Sequence, residues 1–220
     1  LAGLFAISAV LLAGCTSPVD ATGVVREPSP SGLAAGVIDV DSQALLEAAS
    51  GALEARGFQL TALTPSTNER ILTVRGEDAG RQFLEESGRI AGWFADFTRQ
   101  GDSSGPSGLQ LNLILFRSAR GPQLLMSEAG GPCRSERQPN LVLSRELSLG
   151  DQSALCIDRV LQEDESAVAQ HWIPIAYQNV FVGLSAYIAR SEAEALIDTA
   201  GSLLEALRSL PQIEGGTPVP

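Results

Sequence analysis

Apolar and polar positions along this chain alternate between two periods. Leu45, Leu46, Ala49 and Leu53 share one helical face, so residues 42–56 are read as a helix, with Gly57 placed to cap it. Residues 58–63 and 70–75 read as two strands, and Pro65-Ser66-Thr67-Asn68 as the turn between them. A second helix is expected over residues 78–99, with Phe83, Ser87, Ile90, Phe94 and Phe97 as its inner stripe. Gly88 and Gly92 weaken that helix intrinsically and suggest close packing against a strand. Residues 111–116 are apolar almost without break, which marks 109–117 as a central strand buried on both faces.

The glycines and prolines of residues 120–139 predict a loop around Cys133, followed by strands at 141–147 and 154–161. Residues 168–177 and 180–189 flank Gln178-Asn179 and read as a hairpin. Pro174 places the first arm at a sheet edge or on a bulge. In the last helix, Ser191 and Glu194 match an S-x-x-E capping box. Ala193, Leu196, Ile197, Ala200, Leu203, Leu204 and Leu207 form its inward stripe, and Pro211 ends it. This order predicts a single α+β domain over residues 37–210, an antiparallel sheet with about three helices packed on one face. Residues 211–220 have the Pro and Gly content of a disordered tail.

The amino-terminal segment follows different rules. Residues 1–14 are uncharged and apolar, too short for a membrane span and suited to the h-region of a signal peptide. The Met and basic n-region that usually precede such a segment are not present, so the true start is expected upstream. The segment ends in Leu12-Ala13-Gly14-Cys15, which resembles the lipobox of bacterial lipoproteins. The resemblance implies a lipid on the Cys15 thiol, cleavage before Cys15, and a membrane partner held through the acyl chains. Residues 15–36 are rich in Pro, Ser, Thr and Gly and read as the lipidated cysteine and a flexible tether. The hairpin followed by an amphipathic helix is similar to the ends of small exported lipoprotein domains, including Mog1/PsbP-like ones.

With Cys15 assigned to lipid, Cys133 and Cys156 remain as a pair. In an oxidising compartment an even remainder reads as a disulfide. There is no C-x-x-C, and the one histidine, His171, cannot complete a zinc site with them.

Composition removes further classes. The net charge of -11 would repel a phosphate backbone, so no nucleic-acid partner is expected. All fifteen basic residues are arginine, scattered from Arg26 to Arg208 without a cluster. That reads as compositional bias rather than as a guanidinium site for anions.

Candidate catalytic groups are few. Gly101-Asp102-Ser103-Ser104-Gly105 matches the G-x-S-x-G pattern of α/β-hydrolases. That family needs a strand before the serine and a helix after it; the predicted order here is reversed. The same letters contain the Gly-Asp-Ser of the SGNH hydrolases, but Val168 occupies the position that the D-x-x-H partner motif requires to be acidic. An envelope serine hydrolase using Ser103 and His171, with Asp164 as the acid, is therefore the alternative reading. His171 itself reads as a hydrogen-bonded structural residue in a strand beside Trp172. Glu163-Asp164-Glu165 lacks the spaced acids of a calcium loop and reads as a solvated turn. Trp93 and Trp172 read as core residues. No catalytic, cofactor-binding or metal-ligating residues are assigned. The leading expectation is a non-enzymatic lipoprotein domain that binds an envelope protein or a small-molecule ligand.

Overall fold

A computed structural model describes residues 36–99, 105–128, 131–133, 140–164 and 166–214. The chain divides into two units, with the boundary between Leu33 and Ala34. The described residues belong to the second.

Its strands are β1 (Gly36–Ile38), β2 (Phe58–Pro65), β3 (Arg89–Arg99), β4 (Gly108–Phe116), β5 (Leu141–Leu147), β6 (Gln152–Asp158), β7 (Ala169–Tyr177), β8 (Val180–Ile188) and β9 (Gln212–Glu214). Its helices are α1 (Ser42–Glu54), α2 (Asn68–Arg75), α3 (Glu77–Ser87), α4 (Arg120–Ser127), α5 (Val160–Glu163) and α6 (Ala193–Arg208). Seven strands form one antiparallel sheet in the order β2-β3-β4-β8-β7-β6-β5. The class is α+β, as expected. The helix count is corrected: six α-helices occur among the described residues rather than about three.

They also close both faces of the sheet, not one. Along β4, Leu109, Leu111, Leu113 and Leu115 enter one apolar cluster with the buried stripes of α1 and α6. Ile114 and Phe116 point the other way, into a cluster with Phe83 of α3 and Met126 of α4. Strand side chains alternate between faces, so a central strand can serve two cores only if nearly every residue is apolar. That is why residues 111–116 carry so few polar side chains.

Three segments adopt a different structure from the one their letters suggest. Residues 70–75 lie in α2, whose cap is Thr67: its side chain accepts from the Arg70 N–H at 3.2 Å. The expected helix over 78–99 stops at Gly88, which has φ +62° and donates its N–H to Leu84 O. Glycine takes that left-handed conformation without a Cβ clash. The chain then continues as β3, paired on both sides. Residues 120–127, expected as loop, form α4. Pro122 sits in the first turn, where its missing N–H removes no helical bond. Gly121 lets the Phe116 ring approach; a Cβ there would fall 2.3 Å from it.

The C-terminal hairpin forms as expected, with Gln178 at φ +50° in its turn. Pro174 is neither on an edge strand nor on a bulge. It lies opposite Gly183 of β8, and β7 also pairs with β6. The β6 ladder keeps register through Ser153–Ile175 and Cys156–Trp172 but makes no pair at Pro174. The missing N–H is thus accommodated inside the sheet.

The capping box is also corrected. The Ala189 N–H donates to Glu192 Oε2 at 3.1 Å, while Glu194 pairs with Arg145 at 2.6 Å. Gln212–Glu214, within the segment expected to be a tail, pairs with Gly36–Ile38 as a two-stranded ribbon. Buried Asn179 ties that ribbon to the large sheet. Its Oδ1 accepts from the Ile38 N–H at 2.8 Å, and its Nδ2 donates to Ile38 O and Phe116 O at 3.2 and 2.9 Å.

Candidate functional site

The most unusual polar group in the described domain is Arg89, the first residue of β3. Arg89 pairs with Phe116 and Ala91 with Leu115, so Ile90 is an extra residue in the ladder. Such a bulge re-aims neighbouring side chains. It leaves Ile90 exposed and turns Arg89 onto the α2–α4 face, over Gly92. A Cβ on Gly92 would fall 2.5 Å from Nη2, so only glycine leaves room for the guanidinium there.

Arg89 donates from Nη1 to Asn68 Oδ1 at 2.8 Å and from Nη2 to Ser66 O. Both acceptors are neutral. Its Nε–H is buried without an acceptor among the described residues. No carboxylate pairs with it there. Burial pushes its pKa below the ordinary arginine value, yet a guanidinium stays charged at neutral pH.

Arg89 is one of the residues lining an open groove of about 300 Å3. Residues 65–69 line it from the end of β2 and the start of α2, and residues 89–93 from β3. A bond from the Ser66 N–H to Gly92 O, 2.8 Å, holds the two walls together. The first turn of α2 lines the same groove. Arg70's N–H is taken by Thr67, whereas those of Asn68 and Glu69 have no intrahelical acceptor by helix geometry. Pro65 and Ile90 add apolar surface. Trp93, read as core, packs partly buried against the α1/α6 cluster and also borders this groove. Chemically the arrangement offers hydrogen-bond donors beside an apolar wall.

The sequence-predicted residues fall elsewhere. Cys15, Asp102, Ser103 and Glu165 lie outside the described residues. Cys133 and Cys156 are joined as a disulfide with Cα atoms 5.4 Å apart. It anchors the segment after α4 to β6, beside Trp172. His171 is wholly buried on β7, among residues of the α1/α6 core. Its Nδ1 lies 3.2 Å from Ala169 O, and Nε2 has no partner among the described residues. Burial lowers its pKa; the Ala169 bond and Glu192 oppose that, and Arg190 adds to it.

Asp164 accepts from the Ser166 N–H and hydroxyl at 2.9 and 2.6 Å, which lowers its pKa. These bonds make it a local turn former. No acid among the described residues is hydrogen-bonded to His171, and its imidazole is buried, where a hydrolase would need it at a solvent-accessible serine. Among the described residues, no group of three or more His, Cys, Asp and Glu side chains could hold a metal ion. No helix there is long and apolar enough to cross a membrane.

Sequence reasoning passed over Arg89. The available signal was an arginine directly after a helix-ending glycine, inside a segment rich in apolar residues.

No protein-family model matches this chain, and no curated protein sequence does. Among solved structures it is similar to the extracellular domain of PknH from Mycobacterium tuberculosis. The identity is 9%, the match covers 77% of this chain and 92% of that one, and the TM-score is 0.40. Values this low transfer no role.

Proposed function

We propose that this chain is a lipid-anchored domain of the bacterial cell envelope that binds a ligand or partner and catalyses no reaction. The observation that carries the binding role is the Arg89 groove. It is lined by a buried charge whose partners among the described residues are neutral, by the first turn of α2 and by apolar surface. Concave sites with a few convergent polar groups and an apolar lining are where ligands bind. The location is supported by the lipobox-like Leu12-Ala13-Gly14-Cys15 and by the Cys133–Cys156 disulfide, a bond that persists in oxidising compartments.

Two measurements test the two halves of this reading. Mass spectrometry of the membrane-extracted protein should find Cys15 as an acylated first residue. A chain keeping residues 1–14 without acylation would remove the anchor. An NMR fragment screen should return hits that move the backbone signals of Asn68 and Gly92 and the Trp93 indole. Hits that all leave these signals in place would remove the groove as the binding site.

A further inference from the structure

The two edges of the large sheet are protected differently. β5 carries Arg145 and Glu146, and Arg145 is held by Glu194. Charged side chains on an edge deter pairing with another strand. β2, the opposite edge, has no charged residue along its length. Only its Phe58 is buried, and Leu60 and Leu63 are 39% and 43% exposed.

Backbone alternation shows which of its groups face outward. The Ser66 N–H bonds to Gly92 O, so Thr64, Ala62 and Gln59 also turn their backbone groups toward β3. Thr61 is the extra residue of a bulge, and its hydroxyl donates to Asp96 O at 3.0 Å. Phe58, Leu60, Leu63 and Pro65 turn theirs to the outer edge, where no strand among the described residues pairs with them. The Arg99 N–H, opposite Phe58, points away from β2 to Ser107 O, as that parity requires.

The same four residues share the α1/α6 face. Phe58 belongs to that cluster, and so do Phe97 and Ala95, the partners of Leu60 and Leu63. Trp93, the partner of Pro65, packs against it. The bulge makes this order symmetric: the four are the first, third, sixth and eighth residues of β2 read from either end. A second β2 laid antiparallel therefore sets Leu60 against Leu63 of the other copy, Phe58 against Pro65, and Gln59 against Thr64. Each of these side chains meets one on its own face, and a one-residue slip would undo the match. Leu60 and Leu63 can then exchange both backbone bonds, while Pro65 only accepts.

Charge favours the same partner and direction. Each copy carries -11, so approach is least opposed along an uncharged edge. The nearest charged residue before β2 is Arg56 and the nearest after it is Glu69. An antiparallel pair brings the Arg56 end of each copy to the Glu69 end of the other.

We infer that two copies of this chain pair through β2, continuing the sheet across a two-fold axis. The contact occupies the same edge on both copies, so assembly closes at a dimer. It depends neither on the groove nor on a ligand.

Sedimentation equilibrium of the full chain in density-matched detergent tests this. A monomer–dimer equilibrium is expected, with no larger species. Leu63→Lys should weaken the dimer at least about tenfold, because it places a charge against Leu60 at two symmetric contacts. Leu143→Lys, on the β5 edge, should leave it unchanged. Amide hydrogen exchange of the parent, read by NMR, gives a second measurement. The Leu60 and Leu63 amides should slow as the dimer forms, while those of Ala62 and Thr64, already turned to β3, change little.

A chain that stays monomeric at about 1 mM would overturn the pairing. So would species larger than a dimer, a dimer that survives in folded Leu63→Lys, or one lost in folded Leu143→Lys. Should Leu63→Lys not fold, the exchange measurement decides alone: a dimer whose Leu60 and Leu63 amides exchange as fast as in the monomer uses another surface.

Discussion

The two faces of the large sheet are closed by different means. On the α1/α6 face, aliphatic residues of β3, β4, β6, β7 and β8 meet Leu45, Leu46, Ala49 and Leu53 of α1 and the full stripe of α6 in one continuous cluster. On the other face the buried cluster is smaller and half aromatic, built from Phe83, Ile114, Phe116, Met126, Ala176 and Phe181. Directional contacts supplement it. Arg75 stacks over Phe83 at 3.9 Å and pairs with both oxygens of Glu128 at 2.8 and 2.6 Å. The disulfide fastens the segment after α4, and α2 buries no residue of its own. Apolar burial is non-directional and grows with area. Stability is therefore expected to concentrate in the first face, while the second, more open face holds the groove.

The largest predicted effect tests the first face. Leu203→Ala, in the middle of the α6 stripe, should cost about 3–5 kcal/mol in urea unfolding. A loss below that of Arg75→Gln would erase the distinction between the faces. Next, replacing both Cys133 and Cys156 by Ala should cost about 3 kcal/mol, mainly by freeing the unfolded chain. Little change on reduction would mean that the second face holds without its covalent tie.

A smaller loss, about 2 kcal/mol, is expected for Gly183→Ala, since a Cβ there would fall 1.9 Å from the Trp172 ring. A thermal melt matching the parent would show that Trp172 can swing away. Arg75→Gln removes one half-buried ion pair and one cation–π contact and should cost only about 1 kcal/mol.

The gentlest effect belongs to the first face and to pH. In the unfolded chain His171 titrates near its ordinary value of about 6.5. Burial holds the folded value lower. Between the two values the unfolded chain binds more protons, so stability rises with pH across that window. The contribution is complete above about 6.5 and is lost as pH falls through the lowered folded value. Plotted against pH, the denaturation midpoint of His171→Gln should rise less steeply than the parent's below about 6.5 and run parallel to it above. An unchanged slope below neutrality would mean that His171 is not the residue responsible.

Local sequence placed α1 and the α6 stripe by their helical period, β4 by its unbroken apolar run and the β7–β8 hairpin by its turn. Pairing Cys133 with Cys156 needed only the removal of Cys15 from the count. Local sequence could not decide residues 89–99. Ile90, Phe94 and Phe97 fit a helical stripe, while Trp93, Ala95 and Phe97 fit an alternating strand. The choice was made by β2 and β4, which lie on either side and supply the hydrogen bonds. The same holds for α2, whose Ile71, Thr73 and Val74 favour a strand, and for α4, whose Gly121 reads as a breaker until Phe116 is packed against it.

The candidate site was illegible for a related reason. An arginine's letter carries no burial. Only the Ile90 bulge, the bare Gly92 and the folded-back α2 bury the Arg89 charge and give it, among the described residues, neutral partners. Periodicity is written in neighbouring residues and survives in the sequence by itself. Desolvation and pairing depend on segments brought together from apart, and those exist only once the chain has folded.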